Sequence, residues 1–523
     1  MPMENSTFNI DDFQDPLVWD LLCDGNTKGV FQLESQLGRS WSKRTKPRSI
    51  EELAALVSII RPGCLKAFTE GKSMTQHYVD RKMGIDEVHY LHDSLESILK
   101  ETYGVLVYQE QSMMIAQKLA GFNLEEADDL RKAIGKKKAA LMRKVKKAFI
   151  KGASQKGLVT KGAAEEIFSW IEKSSRYAFN KSHAVSYAVN AYRSAYCKVH
   201  RKMKFFESYL NHSDRKPDSH QEIRELVSDA KLYDIEVLPP RLSFFYPSFT
   251  VGDGDKIYFG INTVKGVGNT ETKKLVTLLG DLEKTLGKIS DWTWLDIVCN
   301  IFGKVNKRAL VALISVGAFT GTNNRMSRNQ MLYEFDSWQS LTSREAKWVS
   351  ENYRSHSSLS ECVTAMINNF KISSSRLIKV MDIKNVLDNP LYDLTDHPAW
   401  IAETEESYMG CGLTFCKTDA IESNLSNCSC KEIALGTRTG KVNVLAQINT
   451  LREYRTKKGK NPGQLMGFLT IEDGSSTLDS VVIFPDAYEK YKSILHEGNT
   501  IIIIGQISPK KDGSLIINKV SQA

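Results

Sequence analysis

Residues 123–151 read NLEEADDLRKAIGKKKAALMRKVKKAFIK, and this stretch predicts two helices that meet at a basic loop. Asn123 and Glu126 have the spacing of a capping box, after which apolar residues recur at helical intervals up to Gly135. The buried side of the second helix would consist of Leu141, Val145, Ala148 and Phe149. From Arg131 to Lys151 there are ten Lys or Arg residues and no acidic residue. This charge predicts a phosphate or nucleic-acid partner, although basic helices can also be merely soluble or face an acidic protein.

The composition is that of a globular protein. The chain has 523 residues, of which 41% are hydrophobic and 25% charged, and this balance excludes a disordered or fibrous protein. Its length predicts roughly three or four domains of about 150 residues each. We find no run of about 20 apolar residues and no signal-peptide pattern at the start, so we expect a cytoplasmic protein. Nine scattered Cys residues suit a reducing compartment, and the net charge of +8 is only mild evidence for a polyanionic partner.

Composition and the periodicity of apolar residues divide the chain into four regions. Residues 1–235 are mainly helical, and residues 236–320 mix strands with helices, since SFTVGDGDKIYFGI (248–261) predicts two short strands about an Asp-Gly turn. Residues 321–437 are rich in Ser and Asn and predict a helical connector. Alternating residues in 438–523 predict a five-stranded barrel with one short helix. The expected fold class is therefore multidomain: a mainly α region, then an α+β region, then a C-terminal β-barrel.

A second candidate phosphate site lies in SSRYAFNKSHAVSYA (174–188), where Ser182 precedes a helical run. A helix that begins there would direct its free amides, the Ser182 hydroxyl and the Lys181 ammonium at one point, as phosphate binding requires. His183 would add a hydrogen-bond or proton donor. The alternative is that Ser182 is only an N-cap and that His183 is an ordinary first-turn residue.

Two further segments predict contacts with DNA that do not depend on base sequence. The loop Lys265, Gly266, Val267 and Gly268 could present backbone amides to a phosphate, or could be a plain Gly-rich turn. The barrel segment LREYRTKKGKNPG (451–463) suits contact with a single strand, with Tyr454 as a stacking surface, or it is a soluble hairpin. Its cationic residues are Arg452, Arg455, Lys457, Lys458 and Lys460.

No metal site is predicted within the chain. Cys411, Cys416, Cys428 and Cys430 lack the two-residue spacing of common zinc-ligand pairs. Phosphoryl transfer between nucleotides normally needs two or more carboxylates that hold divalent ions. The Asp253-x-Asp255 pair is better explained by its hairpin turn.

The motifs in order resemble the family of bacterial DNA polymerase III alpha subunits, the replicative polymerases of the C family. The matching motifs are GVFQLES (29–35), IRPG (60–63), TYGVLVYQEQ (102–111), LRKAIGKKK (130–138), YAFNKSHAVSYA (177–188), EVLPP (236–240), YFGINTVKGVG (258–268) and VGAF (316–319). The resemblance implies that residues 1–235 are the end of the palm and the fingers. It also implies that 236–320 is a tandem helix-hairpin-helix region that holds duplex DNA near the sliding clamp, and that 438–523 is an OB-fold domain near the single-stranded template.

The resemblance also implies a set of residues on the incoming-nucleotide and phosphate side, with Arg61 near the palm junction. They are Arg61, Arg131, Lys136, Lys137, Lys138, Lys181, Ser182 and His183. Two positions depart from the family pattern: Lys132 stands where a second Arg is typical and Cys64 where Pro is typical. The Lys132 change puts bidentate phosphate contact in doubt at that position.

The family's PHP domain and metal-binding palm Asp residues precede GVFQLES, which begins here at residue 29. We therefore expect the fingers half of a split or truncated polymerase, whose Mg²⁺ is held by carboxylates on a partner chain. The expected partners are primer-template DNA, dNTPs, a palm/PHP fragment and the sliding clamp, with QMLYEF (330–335) as a candidate clamp motif. The alternative is a noncatalytic DNA-binding protein or polymerase remnant.

Overall fold

The computed structural model describes residues 9–135, 139–174, 177–320, 325–421, 423–456, 462–508 and 514–523. The chain forms two compact units, Met1–Lys202 and Met203–Ala523. Within the described ranges, no helix has the length and apolar character needed to cross a membrane. The predicted boundaries at residues 235, 320 and 437 stay predictions as domain boundaries.

The first unit is built from helices and one short hairpin. Its elements are α1 (Pro16–Cys23), α2 (Gln36–Thr45), α3 (Ile50–Ile59), α4 (Pro62–Lys66), β1 (Phe68–Thr69), β2 (Lys72–Ser73), α5 (Met74–Lys82), α6 (Glu96–Leu99), α7 (Gln109–Ala120), α8 (Leu124–Gly135), α9 (Ala139–Lys156), α10 (Lys161–Ser174) and α11 (Lys181–His200). Helices α7 to α10 share one apolar core. Helix α11 packs on α1 and α3.

The two basic helices form as predicted. The Asn123 N–H donates to Glu126 Oε2 at 3.0 Å and the Glu126 N–H to Asn123 Oδ1 at 2.9 Å, which confirms the capping box of α8. On α9, the buried stripe runs in four-residue steps through Val145 and Phe149 to Ala153. Ala148 is exposed, because it lies to one side of this stripe, so its predicted burial was wrong. Lys136, Lys137 and Lys138 lie outside the described residues.

The second unit begins with helices and a three-stranded sheet. Its elements up to the barrel are α12 (Lys202–Leu210), α13 (Ser219–Lys231), β3 (Glu236–Leu238), β4 (Thr250–Val251), β5 (Lys256–Tyr258), α14 (Asn269–Leu286), α15 (Trp294–Ile301), α16 (Lys307–Ser315), α17 (Arg328–Gln339), α18 (Ser343–Asn352), α19 (Leu359–Asn369), α20 (Ser374–Asp388), α21 (Pro398–Met409) and α22 (Cys430–Ala434). Strands β4 and β5 pair antiparallel about Gly254, at φ +70°, which confirms the predicted hairpin.

Helices α17 to α21 contribute to the same apolar core as α14 to α16. The predicted connector is therefore packed structure, and its Ser and Thr residues serve as helix caps: Ser327, Thr342 and Ser358 each accept the N–H three residues on. The segment QMLYEF lies within α17. Met331 and Phe335 are both fully buried there, so these two side chains are not accessible to a partner, and the clamp-motif hypothesis stays a prediction.

The C-terminal barrel is closed in the order β10-β8-β7-β6-β9. Its elements are β6 (Lys441–Arg455), β7 (Leu465–Glu472), β8 (Thr477–Ile483), α23 (Pro485–Tyr491), β9 (Thr500–Ile507) and β10 (Leu515–Gln522). Strand β10 pairs in parallel with β8 and antiparallel with β9, which closes the sheet. The five strands and the short helix confirm the predicted OB-like barrel.

Candidate functional site

Asn180, not Ser182, starts helix α11. The Asn180 side chain accepts the His183 N–H at 2.9 Å, which makes Lys181 the first helical residue and Ser182 the second. The expectation that the helix begins at Ser182 was therefore wrong. Both residue types cap helices well, and Asn180 has a second partner, since its Nδ2 donates to Glu110 Oε1 at 2.8 Å. Ser182 and His183 are exposed on the first turn.

Carboxylates already contact Lys181 at the helix start. The Lys181 N–H donates to Glu110 Oε2 at 2.9 Å, and its Nζ donates to Glu101 Oε1 at 2.7 Å. The same Nζ lies 5.5 Å from the centroid of the Tyr108 ring. Burial, with Glu101 and Glu110 nearby, raises the pKa of Tyr108 far above its usual value, so the ring stays neutral beneath the ammonium. A phosphate at this point would compete with Glu101 for Lys181.

Arg61 is joined to the same region through the segment before α11. Its Nη2 donates to the Tyr177 carbonyl at 3.0 Å and its Nε to the Ser58 carbonyl at 3.2 Å. Its Cζ lies 4.1 Å from the centroid of the Phe179 ring, at cation–π distance. The structure thus brings Arg61 close to the α11 start, but with two of its nitrogen donors engaged by backbone.

Four side chains form a continuous aromatic row along this surface: Phe179, His183, Tyr187 and Phe31. Ring centroids are 5.3 Å apart for Phe179 and His183, 4.1 Å for His183 and Tyr187, and 5.1 Å for Tyr187 and Phe31. Sequence reasoning missed all of these except His183. The four-residue spacing of His183 and Tyr187 on α11 is a helical signal that could have identified Tyr187, whereas Phe179 precedes the Asn180 cap.

Phe31 is presented by a strained loop, residues 26–33. Gln32 has φ +64°, a left-handed conformation that costs a non-glycine residue roughly 1–2 kcal/mol. The Phe31 N–H donates to Ser194 Oγ at 3.1 Å. Lys198, which is fully buried, donates through Nζ to the Asn26 carbonyl at 2.8 Å and the Lys28 carbonyl at 2.9 Å. Helix α11 therefore holds the loop against its own surface.

The cations of the two basic helices have different surroundings. Arg131 Nε donates to Asp128 Oδ1 at 2.8 Å, and Lys132 Nζ lies 2.7 Å from Asp128 Oδ2. Hydrogen bonds from Lys132 and Arg131 hold the pKa of Asp128 below its usual value. On α9, Arg143, Lys144, Lys147 and Lys151 are exposed, and the described residues offer them no ion pair. In that same part of the chain, no hydrogen bond or ion pair joins Arg131 to Lys181 or His183.

In the second unit, the predicted DNA loop lies directly before α14. Lys265 and Gly268 are at the surface, and Gly266 adopts φ +97°, which favours glycine. Val267 is only 3% exposed and its N–H donates to the Val264 carbonyl at 3.0 Å. Val267 therefore anchors the loop and leaves surface contacts to its neighbours. The Lys265 N–H donates to the Tyr408 carbonyl at 2.9 Å, so this amide is not available to a phosphate.

The barrel brings together part of its predicted DNA-binding set. Arg452 on β6 pairs in register with Phe468 on β7, and the rings of Tyr454 and Phe468 are 6.3 Å apart, both partly exposed. Phe468 was not predicted. Arg455 instead donates through Nη1 to the Gly463 carbonyl at 3.1 Å. Lys457, Lys458 and Lys460 lie outside the described residues.

The described residues do not fit a divalent metal ion. Across the ranges given above, no group of three or more His, Cys, Asp and Glu side chains is arranged to hold a metal. Asp253 and Asp255 flank the Gly254 turn of the β4–β5 hairpin.

Comparisons with known proteins match this architecture. Residues 3–157 match the bacterial DNA polymerase III alpha subunit finger domain. DNA polymerase III subunit alpha of Aquifex aeolicus (strain VF5) is 32% identical over 498 residues, which cover 94% of this chain and 37% of that protein. The subunit of Staphylococcus aureus (strain MSSA476) is 32% identical over 514 residues, which cover 97% of this chain and 43% of that protein. The chain thus spans about two fifths of the length of these relatives. The finger-domain match and these similarities show that the chain is related to bacterial DNA polymerase III alpha subunits over the part of them that contains the finger domain.

Proposed function

We propose that residues 1–523 supply nucleotide-binding and DNA-binding surfaces of a DNA polymerase that acts in the cytoplasm of a bacterium or a phage-infected host. The observation that carries the proposal is the convergence at the start of α11. Arg61 comes from a motif more than 100 residues before the segment that holds Lys181 and His183, yet its guanidinium lies over Phe179, whose ring also contacts His183. Such convergence is what a site for one small anionic ligand requires.

On the nucleotide side, the Lys181 ammonium exchanges Glu101 for a phosphate oxygen of the incoming dNTP. Ser182 adds its hydroxyl, and His183 a ring donor, since both are exposed on the first helical turn. A charge-assisted contact of this kind is worth about 1.5–3 kcal/mol. Arg131 likewise exchanges Asp128 for phosphate, and Lys136, Lys137 and Lys138 act beside it.

On the DNA side, the contacts are to backbone and to base faces, so they ignore sequence. The exposed cations of α9 and the Lys265 side chain meet phosphates of the duplex, and Gly268 lets the backbone approach. In the barrel, Arg452 meets the backbone of a single strand, while Tyr454 and Phe468 offer rings on which bases stack. The catalytic carboxylates and their Mg²⁺ come from palm polypeptide outside these residues, on a PHP/palm partner; the sliding clamp is a further candidate partner.

Primer extension tests this proposal. The purified chain alone should bind primer-template DNA, increasingly weakly as salt rises, without extending the primer. Addition of a palm-containing fragment should restore extension, and Arg131→Ala should then weaken the use of nucleotide more than the binding of DNA. Primer extension with Mg²⁺ by the rigorously purified chain alone would contradict the proposal that the catalytic carboxylates lie outside these residues.

One observation favours a second candidate, a noncatalytic DNA-binding protein. Lys181 and Arg131 already have carboxylate partners, so the α11 start can be read as a structural junction. In that case the chain would bind DNA with or without nucleotide, and Lys181→Ala would not change any measured affinity. Titration of the chain with a dNTP in the presence and absence of DNA separates the two candidates.

A further inference from the structure

His183 is an exposed histidine whose ring is nevertheless held on two sides. Tyr187 meets it edge-on at 4.1 Å with an interplanar angle of 70°, and Phe179 meets it at 5.3 Å with an angle of 51°. An exposed first-turn side chain would otherwise move among several staggered rotamers. These contacts restrict the imidazole to one orientation on the helix surface.

Tyr187 is in turn held by Phe31, which comes from a segment more than 150 residues away in the sequence. The Phe31 backbone is tied to Ser194, and the buried Lys198 holds the carbonyls of residues 26 and 28. The left-handed Gln32 follows Phe31 directly. Strain of this kind persists only where surrounding structure imposes it, and it clusters at functional sites.

We propose that Phe31 and Tyr187 are positioning residues for His183, so that the loop 26–33 sets the orientation of the imidazole presented to the nucleotide. The functional half of this inference rests on the proposed nucleotide-binding role of His183; the positioning half stands on the ring contacts alone. Phe31 does not itself touch the nucleotide. Its ring acts through Tyr187.

Selective ¹³C labelling of histidine in the full chain reports on the His183 ring without any assay of activity. Assignment by His183→Gln identifies the resonance. Phe31→Ala and Tyr187→Leu should both move the His183 signal, because each removes a ring from the row, whereas Tyr187→Phe should restore the wild-type position. Phe68→Ala is the matched control: it removes an exposed Phe from β1 in the same unit, outside the aromatic row, and should leave the signal in place.

The same variants test the consequence for binding. Titration with a dNTP and Mg²⁺ should show an affinity for Phe31→Ala lowered by about tenfold, because a misdirected imidazole loses its hydrogen bond to a charged phosphate oxygen. In a His183→Gln background, Phe31→Ala should have no further effect, because the group it positions is gone.

The outcomes separate the two halves. A His183 signal that stays at its wild-type position in both Phe31→Ala and Tyr187→Leu overturns the positioning role. A signal that moves in these variants while the wild-type chain fails to bind any dNTP leaves the positioning role intact and contradicts the proposed function. If Phe31→Ala unfolds, Phe31→Leu replaces it, because this change keeps the apolar volume but removes the ring.

Discussion

Helix α9 and helix α11 both carry cations, but their side chains meet different surroundings. On α9, Arg143, Lys144 and Lys147 point into solvent, and no acidic partner is found for them in the part of the chain that the structure describes. On α11, Lys181 meets Glu101 and Lys198 is fully buried against backbone carbonyls. A high density of charge therefore does not by itself define a site. Unpaired cations on a helix suit a long polyanion, whereas fixed cations suit a small anion of defined shape.

We expect the largest effect, a loss of stability, from replacing the buried cation Lys198. Lys198→Met keeps the aliphatic stem but leaves the Asn26 and Lys28 carbonyls without their donor. Because each buried polar group left unsatisfied costs about 1–3 kcal/mol, we expect unfolding free energy to fall by about 2–4 kcal/mol in urea titrations. Lys151→Met on α9 is the matched control and should stay within about 0.5 kcal/mol of the wild type. Equal stability of the two variants would mean that α11 cations are no more fixed than those of α9.

The next effect concerns DNA. Replacing Arg143, Lys144, Lys147 and Lys151 together by Gln should weaken DNA binding by about 100-fold at 0.1 M salt and reduce the salt slope, since each phosphate contact contributes about 0.9 to that slope. Swapping Lys for Arg, and Arg for Lys, at the same four positions keeps the charge and should preserve most of the binding. An unchanged salt slope after charge removal would show that α9 does not face DNA.

The third prediction uses the position of the α11 cap. Asn180→Ala should lower stability by about 0.5–2 kcal/mol, because the His183 N–H loses its acceptor. Ser182→Ala should change stability by less than about 0.5 kcal/mol, because its side chain is exposed and caps nothing in the described structure. Thermal unfolding of both variants measures the difference. A larger loss of stability for Ser182→Ala than for Asn180→Ala would mean that Ser182 caps α11, as the sequence suggested.

The smallest effect tests whether Glu101 competes for Lys181. Glu101→Gln removes the charge of an exposed ion pair, which is worth about 0.2–1 kcal/mol, and should tighten dNTP binding by about twofold to fivefold. Glu87→Gln, which changes an exposed carboxylate elsewhere in the same unit, should have no effect. Weaker nucleotide binding in Glu101→Gln would show that Glu101 supports the site and does not compete for it.

The sequence predicted local structure correctly where a single short segment determines the helix start, the turn or the strand. The box between Asn123 and Glu126, the Asp-Gly hairpin and the alternating strands of the barrel all depend on neighbours in the chain. For residues 321–437 the sequence predicted a helical connector but did not place its individual helices. Ser327, Thr342 and Ser358 are caps of three of those helices.

The site was predictable only in part, because its partners are distant in sequence. Lys181 and His183 followed from a helix start and a family motif. Glu101 and Glu110, which contact Lys181, and Phe31, which contacts Tyr187, come from two other segments, and no local spacing connects them to α11. The cap was misassigned because Asn180 and Ser182 are equally good cap residues, and in the structure Asn180 accepts the His183 N–H and also contacts Glu110.

The most direct test measures the binding of both ligands, nucleotide and DNA, to one variant of α9 and one variant of α11. Dissociation constants for a dNTP with Mg²⁺ and for primer-template DNA are measured on Lys181→Ala and on the α9 variant with four Gln residues. We predict that Lys181→Ala loses about tenfold or more in nucleotide affinity, as expected for a charge-assisted contact, while its DNA affinity stays near that of the wild type. The α9 variant should lose DNA affinity and keep a nucleotide affinity near that of the wild type. Equal losses of affinity for both ligands in both variants, or a wild-type nucleotide affinity in Lys181→Ala, would contradict the account.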